Sequence, residues 1–100
     1  MKMPGNKSSY KIFYSSDVVK KDLPKLDNKI KEIIKKKIEK LMIEPGLGLP
    51  LRGKLAKLYK LKVSKYRVLY QIDNYNLQIL VIAIGKRDNS IIYKLAEKRI

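Results

Sequence analysis

Between Arg52 and Arg67 the chain carries seven basic residues and no acid, in the stretch RGKLAKLYKLKVSKYR. Two apolar-alternating runs meet at Ser64-Lys65, a pattern that predicts a β-hairpin with a tight turn. Setting Val63 opposite Tyr66 pairs Lys62 with Arg67, Leu61 with Val68 and Lys60 with Leu69. Strand side chains alternate between faces. Lys60, Lys62 and Arg67 therefore fall on one face, and Leu61, Val63, Tyr66, Val68 and Tyr70 on the other. Like charges opposed across a sheet destabilise it. A bound phosphate on that face relieves the repulsion.

The choice of base is informative. Of 24 Lys and Arg residues, only Arg52, Arg67, Arg87 and Arg99 are arginine. Arginine presents a rigid fork of donors that suits phosphate, whereas lysine is a point charge. Arg87 closes the apolar run LQILVIAIGKR, and Tyr93 falls in the first turn of a helix just beyond. Cations beside an aromatic ring suit RNA: phosphates pair with Arg and Lys, and a base stacks on Tyr. Arg99 has a simpler reading, as a cation favouring the last helical carbonyls.

The chemistry open to such a site is narrow. With no His, the usual general base and the commonest metal ligand are missing. With no Cys, there is no thiol chemistry. The nine acids are scattered, whereas a Mg²⁺ nuclease clusters its carboxylates. No metal or cofactor is expected. What remains is cleavage in which the RNA's own 2′-OH attacks the adjacent phosphorus, with the protein supplying orientation and charge stabilisation. A lysine crowded by other cations gives up its proton more readily and could serve as base. The residues on their own point to RNA binding and leave cutting open.

The elements around this site can be read in outline. SYKIFYSS predicts a first strand, with Tyr10, Ile12 and Tyr14 alternating against Lys11 and Phe13. Ser16 is placed to cap a short helix through about Leu23, which Pro24 ends or kinks. Asp27 or Asn28 opens a longer helix with the stripe Ile30, Ile33, Ile34, Ile38, Leu41 and Met42. Its lysines (Lys29, Lys31, Lys35, Lys36, Lys40) read as a solvated face. EPGLGLPLRG is a loop. The hairpin follows, and LQILVIAIGKR reads as a central strand buried on both sides. Ser90 or Asp88 caps a last helix with Ile91, Ile92, Leu95 and Ala96 inward. The expected fold is α+β: a small antiparallel-rich sheet in β-α-α-β-β-β-α order, with helices packed on one face and the Lys60/Lys62/Arg67 face left open. Tyr59, Tyr66, Tyr70, Tyr10 and Tyr14 read as packing residues.

Composition sets the outer bounds. The chain has 100 residues, 45% of them hydrophobic, which suits one domain with its own core. The division expected is a basic, flexible tail over residues 1–9 and a folded domain over residues 10–100. A net charge of +15 favours a polyanionic partner. No apolar run reaches 18 residues, and MKMPGNKSS lacks a signal-peptide core, so a cytoplasmic protein without membrane contact is expected.

The run LRG-x-L…LYKLKVSKYRVLYQID, the later IGKR and the SIIYK…KR ending together resemble the RelE branch of the RelE/ParE toxin superfamily, from about Tyr10 to Ile100. That resemblance implies a toxin of a type II toxin–antitoxin system, an mRNA interferase cutting messenger RNA in the ribosomal A site. It also implies an acidic RelB-like antitoxin as partner and a monomeric free toxin. By the same resemblance Lys62 is the general base and Lys60 its electrostatic support. Arg67 holds the scissile phosphate, Arg87 neutralises or protonates the leaving 5′-oxygen, and Tyr93 stacks on or orients a base. Arg52, Lys54, Lys57, Lys65 and Lys86 then contact RNA or ribosome. Two alternatives stand: a ParE-like inhibitor that binds DNA gyrase, and an RNA- or ribosome-binding protein that does not cut.

Overall fold

The computed structural model describes residues 9–87 and 90–100. The expected tail lies outside them except for Ser9, and Asp88 lies outside as well. Five strands form one sheet in the order β1-β5-β4-β3-β2: β1 (Lys11–Tyr14), β2 (Leu49–Pro50), β3 (Leu58–Val63), β4 (Tyr66–Asp73) and β5 (Gln78–Lys86). β1 runs parallel to β5, and the other pairings are antiparallel. Two α-helices complete the domain: α1 (Asn28–Glu39) and α2 (Ile91–Arg99).

The first helical stretch starts one residue earlier than its sequence suggests. Ser15, not Ser16, is the cap, its Oγ accepting from Val18 N–H at 3.2 Å. The stretch continues as a wide π-helical segment (Val18–Asp22) and a 3₁₀ turn (Leu23–Lys25) that contains Pro24. Asp27 then caps α1, its Oδ1 accepting from Ile30 N–H at 2.9 Å, which satisfies one of the free donors of the first turn. Ile34, Ile38 and the following Leu41 are fully buried, and each such side chain contributes roughly 1.5–3 kcal/mol on leaving water. Ile33 departs from the expected stripe: it is 46% exposed, because the buried face follows Ile30, Ile34 and Ile38 at helical spacing.

β5 separates two cores. On one side Ile79, Val81 and Ile84 join Leu61, Val63, Val68 and Tyr70 beneath α1. On the other, Ile82 and Ala83 join Leu58, Leu69 and Leu55 beneath Ile92 and Ala96 of α2. A register shift between Leu69 and Tyr70 in the β4–β5 pairing lets Ile82 join Ala83 on the α2 side. The α+β class stands, but one part of the expected architecture is corrected. The helices do not share a face, because a strand that is apolar on both sides needs a cover on both sides. The half of the Lys60/Lys62 face nearest Leu58 and Leu69 is therefore roofed by α2. Ile91, placed inward in the sequence reading, is 59% exposed.

Two loop contacts hold the sheet's β2 edge. Tyr70 Oη donates to Pro45 C=O at 2.7 Å and accepts from Gly48 N–H at 3.0 Å. A Cβ on Gly48 would stand 2.7 Å from both Lys60 C=O and Tyr70 Oη, so only glycine fits there. Burial, the larger effect, raises the Tyr70 hydroxyl pKa; the Gly48 N–H lowers it, and nearby Tyr59 raises it further. The two rings stack with centroids 5.6 Å apart.

Candidate functional site

The hairpin register is the one its alternation predicts. Val63 lies opposite Tyr66, Lys62 opposite Arg67, Leu61 opposite Val68 and Lys60 opposite Leu69. Across the next ladder Arg67 faces Gly85, and Leu69 faces Ala83. The row Lys62–Arg67–Gly85 thus crosses three strands on one face, and the row Lys60–Leu69–Ala83 runs beside it. Lys60 and Arg67 are half-buried, while Lys62 and Arg87 are exposed. Arg87 follows the end of β5, and its backbone N–H donates to Lys65 C=O at 3.0 Å, which ties it to the hairpin turn.

α2 forms the wall of this face. Tyr93 is half-buried against the cluster of Leu55, Leu58, Leu69, Ile82, Ala83, Ile92 and Ala96. Its ring is thereby fixed to the helix that roofs the sheet next to the cations. The segment bearing Arg52, Lys54 and Lys57 reaches the same side because Leu51 and Leu55 pack into that cluster. Gly53 adopts φ +64, a left-handed conformation that glycine accepts without strain, and turns the chain there. Arg52, Lys54, Lys57, Lys65 and Lys86 are all exposed. Lys60, Lys62 and Arg67 share the face beside α2, with Arg87 tied to the hairpin turn and Arg52, Lys54 and Lys57 on the flanking segment. Lys86, opposite Tyr66, falls on the other face, beneath which α1 packs.

Electrostatically this face is one-signed. Among the described residues, ion pairs join only Lys21 to Asp17 and Arg99 to Asp17 and Asp22. Arg67 instead donates from Nη1 to Tyr66 C=O at 2.9 Å and to Ser64 C=O at 3.3 Å. No group of three or more potential metal ligands occurs among the described residues. Nor is any helix among them long and apolar enough to cross a membrane. The arrangement can hold a phosphodiester over the hairpin, with cations on several sides of it and an aromatic ring on the flank.

Arg99 does something the sequence did not suggest. Its Nη1 and Nη2 donate to the two carboxylate oxygens of buried Asp22 at 2.8 and 3.1 Å, and Nη1 also donates to Ile82 C=O at 3.0 Å. Asp22 in turn accepts from Ile84 N–H at 2.9 Å. Beyond the end of β1, this pair occupies the β5 edge that β1 leaves uncovered. The signal was present in the scarcity of arginine, which applies to Arg99 as much as to the other three.

Comparison with known proteins agrees with this geometry. A family model described as the ParE toxin of the type II toxin–antitoxin system parDE matches residues 13–91. The mRNA interferase toxin RelE of Escherichia coli K12 is 36% identical over 83 residues, covering 80% of this chain and 86% of that one. An arginine-substituted variant of E. coli RelE in the free state superposes with TM-score 0.76 at 30% identity, over 92% of this chain and 98% of its own. The same toxin bound to a peptide of the antitoxin RelB gives TM-score 0.68 at 31% identity, with the same coverage of both chains. The chain belongs to the RelE/ParE family of type II toxin–antitoxin toxins, on its RelE side.

Proposed function

We propose that this toxin is a ribosome-dependent endoribonuclease that cuts messenger RNA in the A site without a metal ion. The observation that carries the reading is the set Lys60, Lys62 and Arg67 on one face, with Arg87 tied to the hairpin turn, unpaired with any acid among the described residues and beside the anchored ring of Tyr93. In this reading Lys62 takes the proton of the 2′-OH, supported by the charge of Lys60. The 2′-oxygen forms a bond to phosphorus while the bond to the 5′-oxygen breaks, leaving a 2′,3′-cyclic phosphate and a 5′-hydroxyl. Arg67 stabilises the charge that builds on the phosphoryl oxygens, the step where fixed donors contribute most. Arg87 offsets charge on the departing 5′-oxygen. An arginine is a poor proton donor, so that oxygen takes its proton from water. Tyr93 stacks on a base and sets the reacting dinucleotide in line. Arg52, Lys54, Lys57, Lys65 and Lys86 hold neighbouring backbone or ribosomal phosphates.

An acidic RelB-like antitoxin is the partner this reading supplies, supported by the +15 charge and by the antitoxin complexes of the relatives. The family model's ParE description keeps gyrase binding as the competing reading. One experiment separates them: primer extension on a message translated by purified ribosomes, with wild type, Arg67→Ala, a ribosome-free control and added antitoxin. Discrete A-site cuts with cyclic-phosphate ends are expected. They should fall on the order of 10²–10³-fold in the variant, and vanish without ribosomes or with antitoxin. An intact message, together with inhibition of gyrase supercoiling, would establish the gyrase reading instead.

A further inference from the structure

The turn of the cationic hairpin has two residues, Ser64 and Lys65, between the paired Val63 and Tyr66. The carbonyls at the centre of so short a turn have no partner in the hairpin ladder and ordinarily face water. Here both are occupied. Ser64 C=O accepts from Arg67 Nη1, and Lys65 C=O accepts from the backbone N–H of Arg87. Tyr66 C=O accepts a second bond from the same Nη1. Both arginines assigned to the phosphate are thus referred to one turn.

The orientation has a chemical consequence. Nη1 is the guanidinium nitrogen on the Cδ side, and its two hydrogens are directed at carbonyls. The opposite edge, Nε with Nη2, stays open, and that edge can give parallel bonds to two oxygens of one phosphate. Among the described residues no carboxylate is paired with it. Ser64 itself holds φ +55, a left-handed conformation uncommon outside glycine and a recognised form of strain at functional sites.

We propose that Ser64 is a positioning residue for the cleavage step. Its left-handed backbone aims the turn carbonyls so that Arg67 presents its Nε–Nη2 edge and Arg87 is pinned beside it. This rests on the reading that Arg67 holds the scissile phosphate. The backbone conformation does the positioning, not the hydroxyl. Ser64→Gly should therefore behave as wild type, whereas the branched side chain of Ser64→Val disfavours φ +55 and should displace both arginines.

The test uses the full chain, with single-turnover cleavage at varied ribosome concentration and nitrogen relaxation of the Arg67 Nε–H group. For Ser64→Val the expected result is a fall in maximal rate on the order of 10²-fold. Half-saturation should hardly change, since ground-state binding is spread over many cations. The Nε–H group should lose its order in that variant and keep it in Ser64→Gly. If Ser64→Val fails to fold, Ser64→Thr replaces it, and Ser64→Asn, which tolerates the left-handed region, serves as the rescue. A folded Val or Thr variant with full rate and an ordered Arg67 would overturn the proposal. So would Ser64→Gly losing as much as Ser64→Val. Should the wild type cut nothing, the cleavage reading fails by itself, and the order of Arg67 across the variants still decides whether Ser64 positions it.

Discussion

Arg99 gives its guanidinium to Asp22 through bonds of 2.8 and 3.1 Å, with 9% of its side chain exposed, whereas Arg67, among the described residues, meets carbonyls of its own hairpin. Both are among only four arginines in a chain whose other bases are all lysine. At the Arg99 end every donor and acceptor finds a partner: Asp22 holds Ile84 N–H, and Arg99 holds Ile82 C=O. At the Arg67 end cations face cations across the ladder, and no acid is paired with them among the described residues. The first arrangement completes the fold. The second leaves a charge that no acid among the described residues answers. A cation's partner, more than its identity, separates the structural arginine from the one proposed to hold phosphate.

The comparison breaks most visibly on the paired side. Removing one member of a buried ion pair strands the other, at a cost of roughly 3–5 kcal/mol. Arg99→Ala or Asp22→Ala should accordingly show a large drop in urea midpoint. Replacing both by leucine should recover only part of it, because Ile84 N–H and Ile82 C=O would remain without partners. Equal stability of Arg99→Ala and wild type would mean the clamp is decorative.

Tyr70→Phe comes next, since it strands Gly48 N–H and Pro45 C=O at about 1–3 kcal/mol. Its pH dependence sharpens the assignment. The folded hydroxyl has a raised pKa, so the fold favours the neutral phenol. That contribution is fully present below pH 10, the unfolded value, and is lost as pH rises through the folded one. Tyr70→Phe should be less stable at neutral pH, and its alkaline loss of stability should be shallower. Part of that loss should persist from Tyr14, whose hydroxyl is also raised, chiefly by burial.

The smallest effect belongs to the unpaired side. Arg67→Ala should shift stability by no more than about 0.5 kcal/mol while abolishing most cutting. Wild type should melt higher as salt screens the hairpin's repulsion, and the variant should gain less. A variant that unfolds as readily as Arg99→Ala would erase the distinction between the two ends.

What could be read from the sequence follows from the range of each interaction. The hairpin register needed only alternation over Lys60 to Leu69 and a turn too short to slip, and it came out residue for residue. That Lys60, Lys62 and Arg67 share a face was legible because strand alternation fixes it locally. The side chosen by α2 was not, since Ile92 and Ala96 make a short stripe that fits either face. The doubly apolar LQILVIAIG run already required a second cover, and that clue was in hand. Asp22 with Arg99 depends on contacts across 77 positions, which no local pattern encodes. Ser64 reads as an ordinary turn residue until its φ and the carbonyls around it are known.

The span of that clamp also orders events in time. Asp22 leaves the ribosome long before Arg99 is joined to the chain, and β1 likewise waits for β5, its parallel neighbour. Until Arg99 reaches Asp22, the hairpin has its cations but neither a seated wall carrying Tyr93 nor the latch that holds it. The cationic surface thus becomes a shaped one only when the two distant ends of the clamp have met. For a protein whose proposed target is the machine that makes it, linear order along the chain is itself a delay.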